Sequence, residues 1–213
     1  MAKYLLEDEV GFDSDLIGFP RLGGCMAVVL QTDLTLYGFH ITPGNTHKSA
    51  GFAQFIAANG PQGNAMHLYG SCFWNNRYMG GNGKAQWRTE MTTIATALGY
   101  HGQATGFDTS SALSHADKTM SAMQTHIGSN YVEYRRVAAR NICQIFYKKM
   151  GKMATTPTAV PLAQPIHKIV PNPAVLGAFN QLNRPNMDRA DLAATATRMH
   201  EAGFFGTHTF TIP

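Results

Sequence analysis

Cys25 follows two glycines and opens an apolar run, Leu22-Gly23-Gly24-Cys25-Met26-Ala27-Val28-Val29-Leu30. A histidine comes next in Gly38-Phe39-His40-Ile41-Thr42-Pro43. A thiol and an imidazole are the pair that nucleophilic attack on a carbonyl needs. Only the thiolate attacks, and a nearby imidazolium favours it by lowering the cysteine pKa. Gly23 and Gly24 let the backbone approach a substrate closely and adopt positive φ at no Cβ cost. The N–H groups of Gly24 and Cys25 in such a turn can point at a developing oxyanion.

Two strands must position the pair. Residues 26–31 read as a buried strand, apolar almost throughout, and residues 34–41 as a second strand. Thr32-Asp33 is a short polar connection, which suits a tight antiparallel hairpin. A turn centred on Thr32-Asp33 sets Cys25 opposite the region of His40. Residues so opposed have Cβ atoms about 4.5–5.5 Å apart, close to thiol–imidazole reach.

These residues resemble a family. Leu-Gly-Gly-Cys before an apolar strand, then Gly-x-His on the next strand with a proline soon after, is similar to the chemoreceptor glutamine deamidase CheD. It is similar too to the catalytic core of the cytotoxic necrotizing factor toxins and the Burkholderia lethal factor. The order of elements over residues 10–111 follows CheD; only the Cys25/His40 segment is specific. The resemblance implies that Cys25 is the nucleophile and His40 its base. CheD usually carries a threonine six residues before its cysteine, which helps orient the histidine. Here that position is Phe19. In the necrotizing factors a main-chain carbonyl is the third partner, so the carbonyl of Phe19 or a neighbour in 18–20 takes that place. Asp13, Asp15 and Thr42 are the side-chain alternatives.

Other residues compete for roles. Leu68-Tyr69-Gly70-Ser71-Cys72 also puts a glycine turn before a cysteine. No histidine follows Cys72 on a hairpin strand, so Ser71 and Cys72 read as lining the site. Thr42 and His47, in the Thr/Asn loop past His40, are candidate substrate contacts. Cys143 alternates with apolar residues and reads as a small core hydrophobe. The remaining histidines never take metal-ligand spacing, so no metal is expected, and no other cofactor. The serines show no nucleophile-elbow pattern.

Composition agrees with a compact enzyme. The 213 residues are 44% hydrophobic and only 14% charged, with 21 glycines. Three cysteines make no CxxC pair and no even disulfide framework. The net charge of +4 is spread out, without the clustered cations and interleaved aromatics of a nucleic-acid surface. No stretch approaches the ~20 apolar residues of a membrane helix. The N-terminus has no long apolar h-region, so no Sec signal is expected.

Along the chain, residues 1–18 form a lead-in with one strand, and the Cys25/His40 hairpin follows. Helices are expected over 49–59, 84–98 and 114–127, and strands over 66–73 and 100–107. Residues 75–84 read as a glycine–asparagine loop at the rim of the site. Residues 131–148 read as a long strand or hairpin, with a helix as the alternative. Residues 154–175 carry five prolines and must be extended. A last helix runs from a cap at Asn186 or Asp188 to Ala202.

The expected fold is α+β, a mixed or antiparallel β-sheet sandwich flanked by helices. Residues 1–150 form the core, and 151–213 a proline-rich arm with a terminal helix packed on it. The resemblance implies a cysteine-dependent protein-glutamine deamidase, with transglutamination as a side activity. The partner is a protein with an exposed glutamine, without nucleic acid or a membrane span. A bacterial effector that leaves without a Sec signal is the favoured setting; a cytoplasmic chemotaxis enzyme is the other. A papain-like protease or amidase and a partner-binding adaptor are the competing classes.

Overall fold

The structure is a computed structural model. It describes residues 3–59, 63–79, 81–109, 129–140, 142–150, 159–160, 167–168, 184–185, 197–198 and 207–213. Strands β1 (Lys3–Tyr4), β2 (Glu9–Asp13), β3 (Leu16–Leu22), β4 (Met26–Thr32) and β5 (Leu36–Ile41) lead into helix α1 (Ser49–Ala58). Then come β6 (Ala65–Cys72), the short α2 (Trp74–Arg77), α3 (Gly83–Leu98) and β7 (Gln103–Asp108). β8 (Ser129–Val137) and β9 (Ile142–Met150) form an antiparallel hairpin. Four two-residue strands follow, β10 (Ala159–Val160), β11 (His167–Lys168), β12 (Arg184–Pro185) and β13 (Thr197–Arg198), before β14 (Thr207–Thr211).

Apart from β10 and β12, which pair with each other, the strands build two layers. The central sheet has the order β11-β2-β5-β4-β6-β7-β14 and is mixed, because β6 and β7 run parallel. The second sheet has the order β1-β3-β8-β9-β13. Helices α1 and α3 cover one face of the central sheet, and the second sheet covers the other. The fold is therefore α+β, a mixed-sheet sandwich with helices on one side.

Alternation along β4 divides the core. Met26, Val28 and Leu30 pack with Phe52, Phe55, Trp87, Met91 and Ile94 under the helices. Ala27 and Val29 pack with Ile17, Phe19, Val132 and Tyr134 between the sheets. A strand covered on both faces reads as one apolar run, which is why residues 26–31 show no polar alternation. Trp87 lies over Gly70 and Gly106, directly paired on β6 and β7; a Cβ on Gly106 would come within 2.1 Å of its ring. Helix α3 is capped by the Asn82 side chain, which accepts from the Ala85 N–H at 3.1 Å. It ends at Gly99, whose φ of 61° is the left-handed conformation that closes helices.

Four expectations change. Residues 1–18 hold β1, β2 and the start of β3 rather than one strand. Residues 74–77 are a helical turn where a loop was expected, because Trp74 and Arg77 turn into the protein. Within the expected last helix, Thr197–Arg198 is a strand paired with β9; the rest of that helix lies outside the described residues, as does 114–127. Residues 207–211, taken with the terminal arm, add a strand to the central sheet beside β7. Of the proline-rich stretch only 159–160 and 167–168 are described, and both are extended.

Candidate active site

The chain passes between the two sheets at both Leu5–Asp8, from β1 to β2, and Gly23–Cys25, from β3 to β4. Both crossings lie at the same end of the sandwich, where β5 finishes. His40 stands there, on the face of β5 that looks into the space between the sheets. Its neighbours on that face are small. Ala27 is its partner on β4, and Gly38 precedes it by two. A Cβ on Gly38 would come within 2.8 Å of both Ile17 and Leu5, so only glycine lets the second sheet close beside the histidine.

His40 is fully buried, and its Nδ1 lies 2.8 Å from the Leu5 carbonyl oxygen. That contact places the ring proton on Nδ1, which donates to the carbonyl, and leaves Nε2 as an acceptor. Nε2 is buried and has no hydrogen-bond partner among the described residues. Phe19 packs edge-on against the ring, with centroids 6.0 Å apart. The Leu5 segment is itself held in place. The Leu5 N–H donates to Gly18 O at 2.8 Å, and the Asp8 N–H to His40 O at 2.7 Å. The Asp8 carboxylate binds Lys48 Nζ at 2.7 Å and accepts from the Thr42 hydroxyl at 2.9 Å. Burial alone would raise the Asp8 pKa, but Lys48 and Thr42 outweigh it and hold the group ionised.

Cys25 is 5% exposed and lies on the same face as His40, at the corner before β4. Its thiol donates to Glu7 Oε1 at 3.7 Å, from the exposed tip of the Leu5–Asp8 crossing. The corner is fixed from the helix side by Arg77. One guanidinium nitrogen, Nη1, donates to Gly24 O and to Ile41 O, both at 3.1 Å. Arg77 is paired with Glu90 through Nε at 2.8 Å and Nη2 at 2.5 Å. Glu90 also accepts from Thr46 and Tyr78 at 2.7 and 2.9 Å. Burial opposes the charge on Arg77, but Glu90 outweighs it and the cation is held. In a trans peptide the N–H points away from the C=O. With Gly24 O turned to Arg77, the Cys25 N–H points away from the helix side, as an oxyanion donor must.

The electrostatics describe a neutral pair at rest. Burial pushes the Cys25 thiol well up, and Glu7 adds to this while Arg77 opposes it. Burial lowers the His40 pKa to about 4, against the Leu5 carbonyl and the Glu7 and Asp8 charges. Imidazolium holding a thiolate is therefore not the resting state. The thiol is turned to Glu7 and does not hydrogen-bond Nε2, so the close thiol–imidazole contact expected from the hairpin is not made in this arrangement.

Several expectations about the site are corrected. The hairpin turn centres on Asp33-Leu34, not Thr32-Asp33. The Thr32 hydroxyl accepts from the Leu34 and Thr35 N–H groups at 3.2 and 2.9 Å, which folds the chain one residue later. The register moves accordingly: Ala27 opposes His40, and Cys25 is its diagonal neighbour on the same face. The group that orients His40 is a main-chain carbonyl, but that of Leu5; Phe19 contributes its ring instead. Asp13 lies at the other end of β2, accepting from the Asp15 and Leu16 N–H groups, so neither aspartate reaches His40. Thr42 is bound to Asp8 and Asn45. Ser71 shares the Cys25 face, yet its hydroxyl is hydrogen-bonded to Tyr134 in the core. Cys72 opposes Met26 on the helix side, so it is screened from Cys25 by the sheet. Gly23 is buried in the corner, and His47 is exposed on the turn Thr46–Lys48. Cys143 packs at the margin of the inter-sheet core.

Leu5, Glu7, Asp8 and Arg77 are the residues that the sequence reading missed. A carbonyl is common to all residues and carries no signal in the side chain. Among the described residues no group of three His, Cys, Asp or Glu side chains could hold a metal. No helix of the described residues is long and apolar enough to cross a membrane. No protein-family model matches the chain, and no curated protein matches it either.

Proposed function

We propose that the protein is a cysteine-dependent amidohydrolase that converts a protein glutamine to glutamate. One observation carries the reading: Cys25 and His40 share a sheet face, with Nδ1 held by a main-chain carbonyl and Nε2 without a hydrogen-bond partner among the described residues. The thiol proton passes to Nε2 as sulfur attacks the side-chain carboxamide carbon. The oxyanion is met by the N–H of Cys25, with that of Gly24. The imidazolium returns the proton to the amide nitrogen, the C–N bond breaks, and ammonia leaves a thioester. Water, deprotonated by Nε2, attacks the thioester; glutamate and the thiol are released.

The resemblance to CheD and the necrotizing factors supports this reaction, and a bacterial effector is the setting we favour. A papain-type enzyme extends a helix from its cysteine, whereas β4 follows Cys25. The test is peptide mass mapping of a bacterial or host lysate after incubation with the protein. Glutamines that gain about 1 Da with wild type and not with Cys25→Ala or His40→Ala support the reading. Identical maps overturn it.

A further inference from the structure

Glu7 is unused by the chemistry above. It is exposed at the tip of the Leu5–Asp8 crossing, and the Cys25 thiol is its hydrogen-bond partner among the described residues. The other charges at this end are matched: Asp8 by Lys48, and Arg77 by Glu90. Among the described residues at this end Glu7 is therefore the charge without an opposite partner, and it stands beside the Cys25 sulfur.

We propose that Glu7 is the specificity-determining residue of this site, a fixed anion that admits carboxamides and amines and turns away carboxylates. The inference rests on Cys25 as the nucleophile and deepens that reading. A carboxamide delivers two N–H donors together with its carbonyl carbon. When the carbon meets the sulfur, the thiol–Glu7 hydrogen bond is given up, and the amide N–H takes the vacated acceptor. A carboxylate has no donor to offer and brings a like charge against Glu7. The same repulsion acts on the glutamate product, so the group that selects the substrate also expels what the reaction makes. An amine is accepted on the same terms, which makes a cationic acceptor competent to take the acyl group from the thioester in place of water.

Two alkylating agents of nearly one shape test this. Iodoacetamide is a small carboxamide, and iodoacetate is its anionic counterpart. Rates are measured on the intact protein, with mass mapping to assign modification to Cys25. The thiolate fraction cancels in the ratio of the two rates, so the ratio reports charge selection alone. Glu7→Gln keeps the shape and is expected to raise the iodoacetate-to-iodoacetamide ratio by about five- to tenfold. Glu7→Asp keeps the charge and should leave the ratio near wild type. With the wild-type protein alone, raising the salt from 0.01 M to 1 M should raise the ratio as the charge is screened. An unchanged ratio in Glu7→Gln overturns the proposal. So does failure of both reagents to modify Cys25, since the site would then exclude even a small carboxamide. A shifted ratio with no glutamine converted in any lysate would leave Glu7 its role and remove the deamidase reading.

Discussion

His40 is held neutral until about pH 4, and the sign of its effect on stability follows. In the unfolded chain the ring titrates near its ordinary value of about 6.5. Between these values the unfolded chain binds the extra proton. Stability therefore falls as pH drops through this window and is level above it, by on the order of 3 kcal/mol in all. Urea midpoints at pH 7 and pH 4.5 should differ strongly in wild type and much less in His40→Gln. Equal differences would place the acid sensitivity in another group. At Cys25, replacement by serine should abolish turnover and leave the melting temperature close to wild type. Cys72→Ala, on the other sheet face, should cost stability and keep most of the activity of each folded molecule. Loss of activity at Cys72 alone would reverse the assignment of the nucleophile.

At the scale of elements, the Arg77–Glu90 pair joins α2 and α3 to the corner before β4 and to the end of β5. Arg77→Met should destabilise by about 3–5 kcal/mol, because it leaves Glu90 buried without its cation. Arg77→Met with Glu90→Gln should cost less than the two changes summed, as a denaturation cycle would register. The alkylation rate of Cys25 should fall in both variants, since Gly24 O and Ile41 O lose their donor in each. A rate equal to wild type would mean that the corner holds itself. The sequence made α3 legible to within a residue, 84–98 against Gly83–Leu98, because Gly99 is the residue type that closes a helix; Asn82, read as part of the loop, is its N-cap. It made β4 legible through its apolar run. The register of the β4–β5 hairpin was not, because the Thr32 hydroxyl competes for the turn and shifts it by one residue. The crossing at Leu5–Asp8 was hidden too: its work is done by a carbonyl and by charges whose partners are remote in sequence.

Across the whole molecule, the central sheet ends at β14. Phe210 meets the edge of Trp87 at 5.4 Å between centroids, and Ile212 is buried in the helix-side core. Removing residues 207–213 should lower stability and bare the edge of β7, an unpaired strand that templates association. Size-exclusion chromatography should then show oligomers or loss of soluble protein; a monomer melting like wild type would mean that β14 is dispensable. A sheet sandwich flanked by helices was legible through the resemblance in the order of elements; that α1 and α3 lie on one face of it was not. Nor was the placement of β14, because a five-residue strand pairing across about a hundred residues leaves no local periodicity to read. Between the two sheets, Gly38→Ala sets a methyl against Ile17 and Leu5 and should cost about 1–3 kcal/mol.

The oxygen that orients His40 belongs to the main chain, and that has a genetic consequence. No codon change deletes it. In a saturation scan scored for activity, columns 25 and 40 should tolerate nothing. Column 5 should accept isoleucine and methionine, which fill the same space and keep the same oxygen. Proline there should fail, because it has no N–H to give Gly18 O. A selection read by tolerance alone would find two essential positions where three groups act.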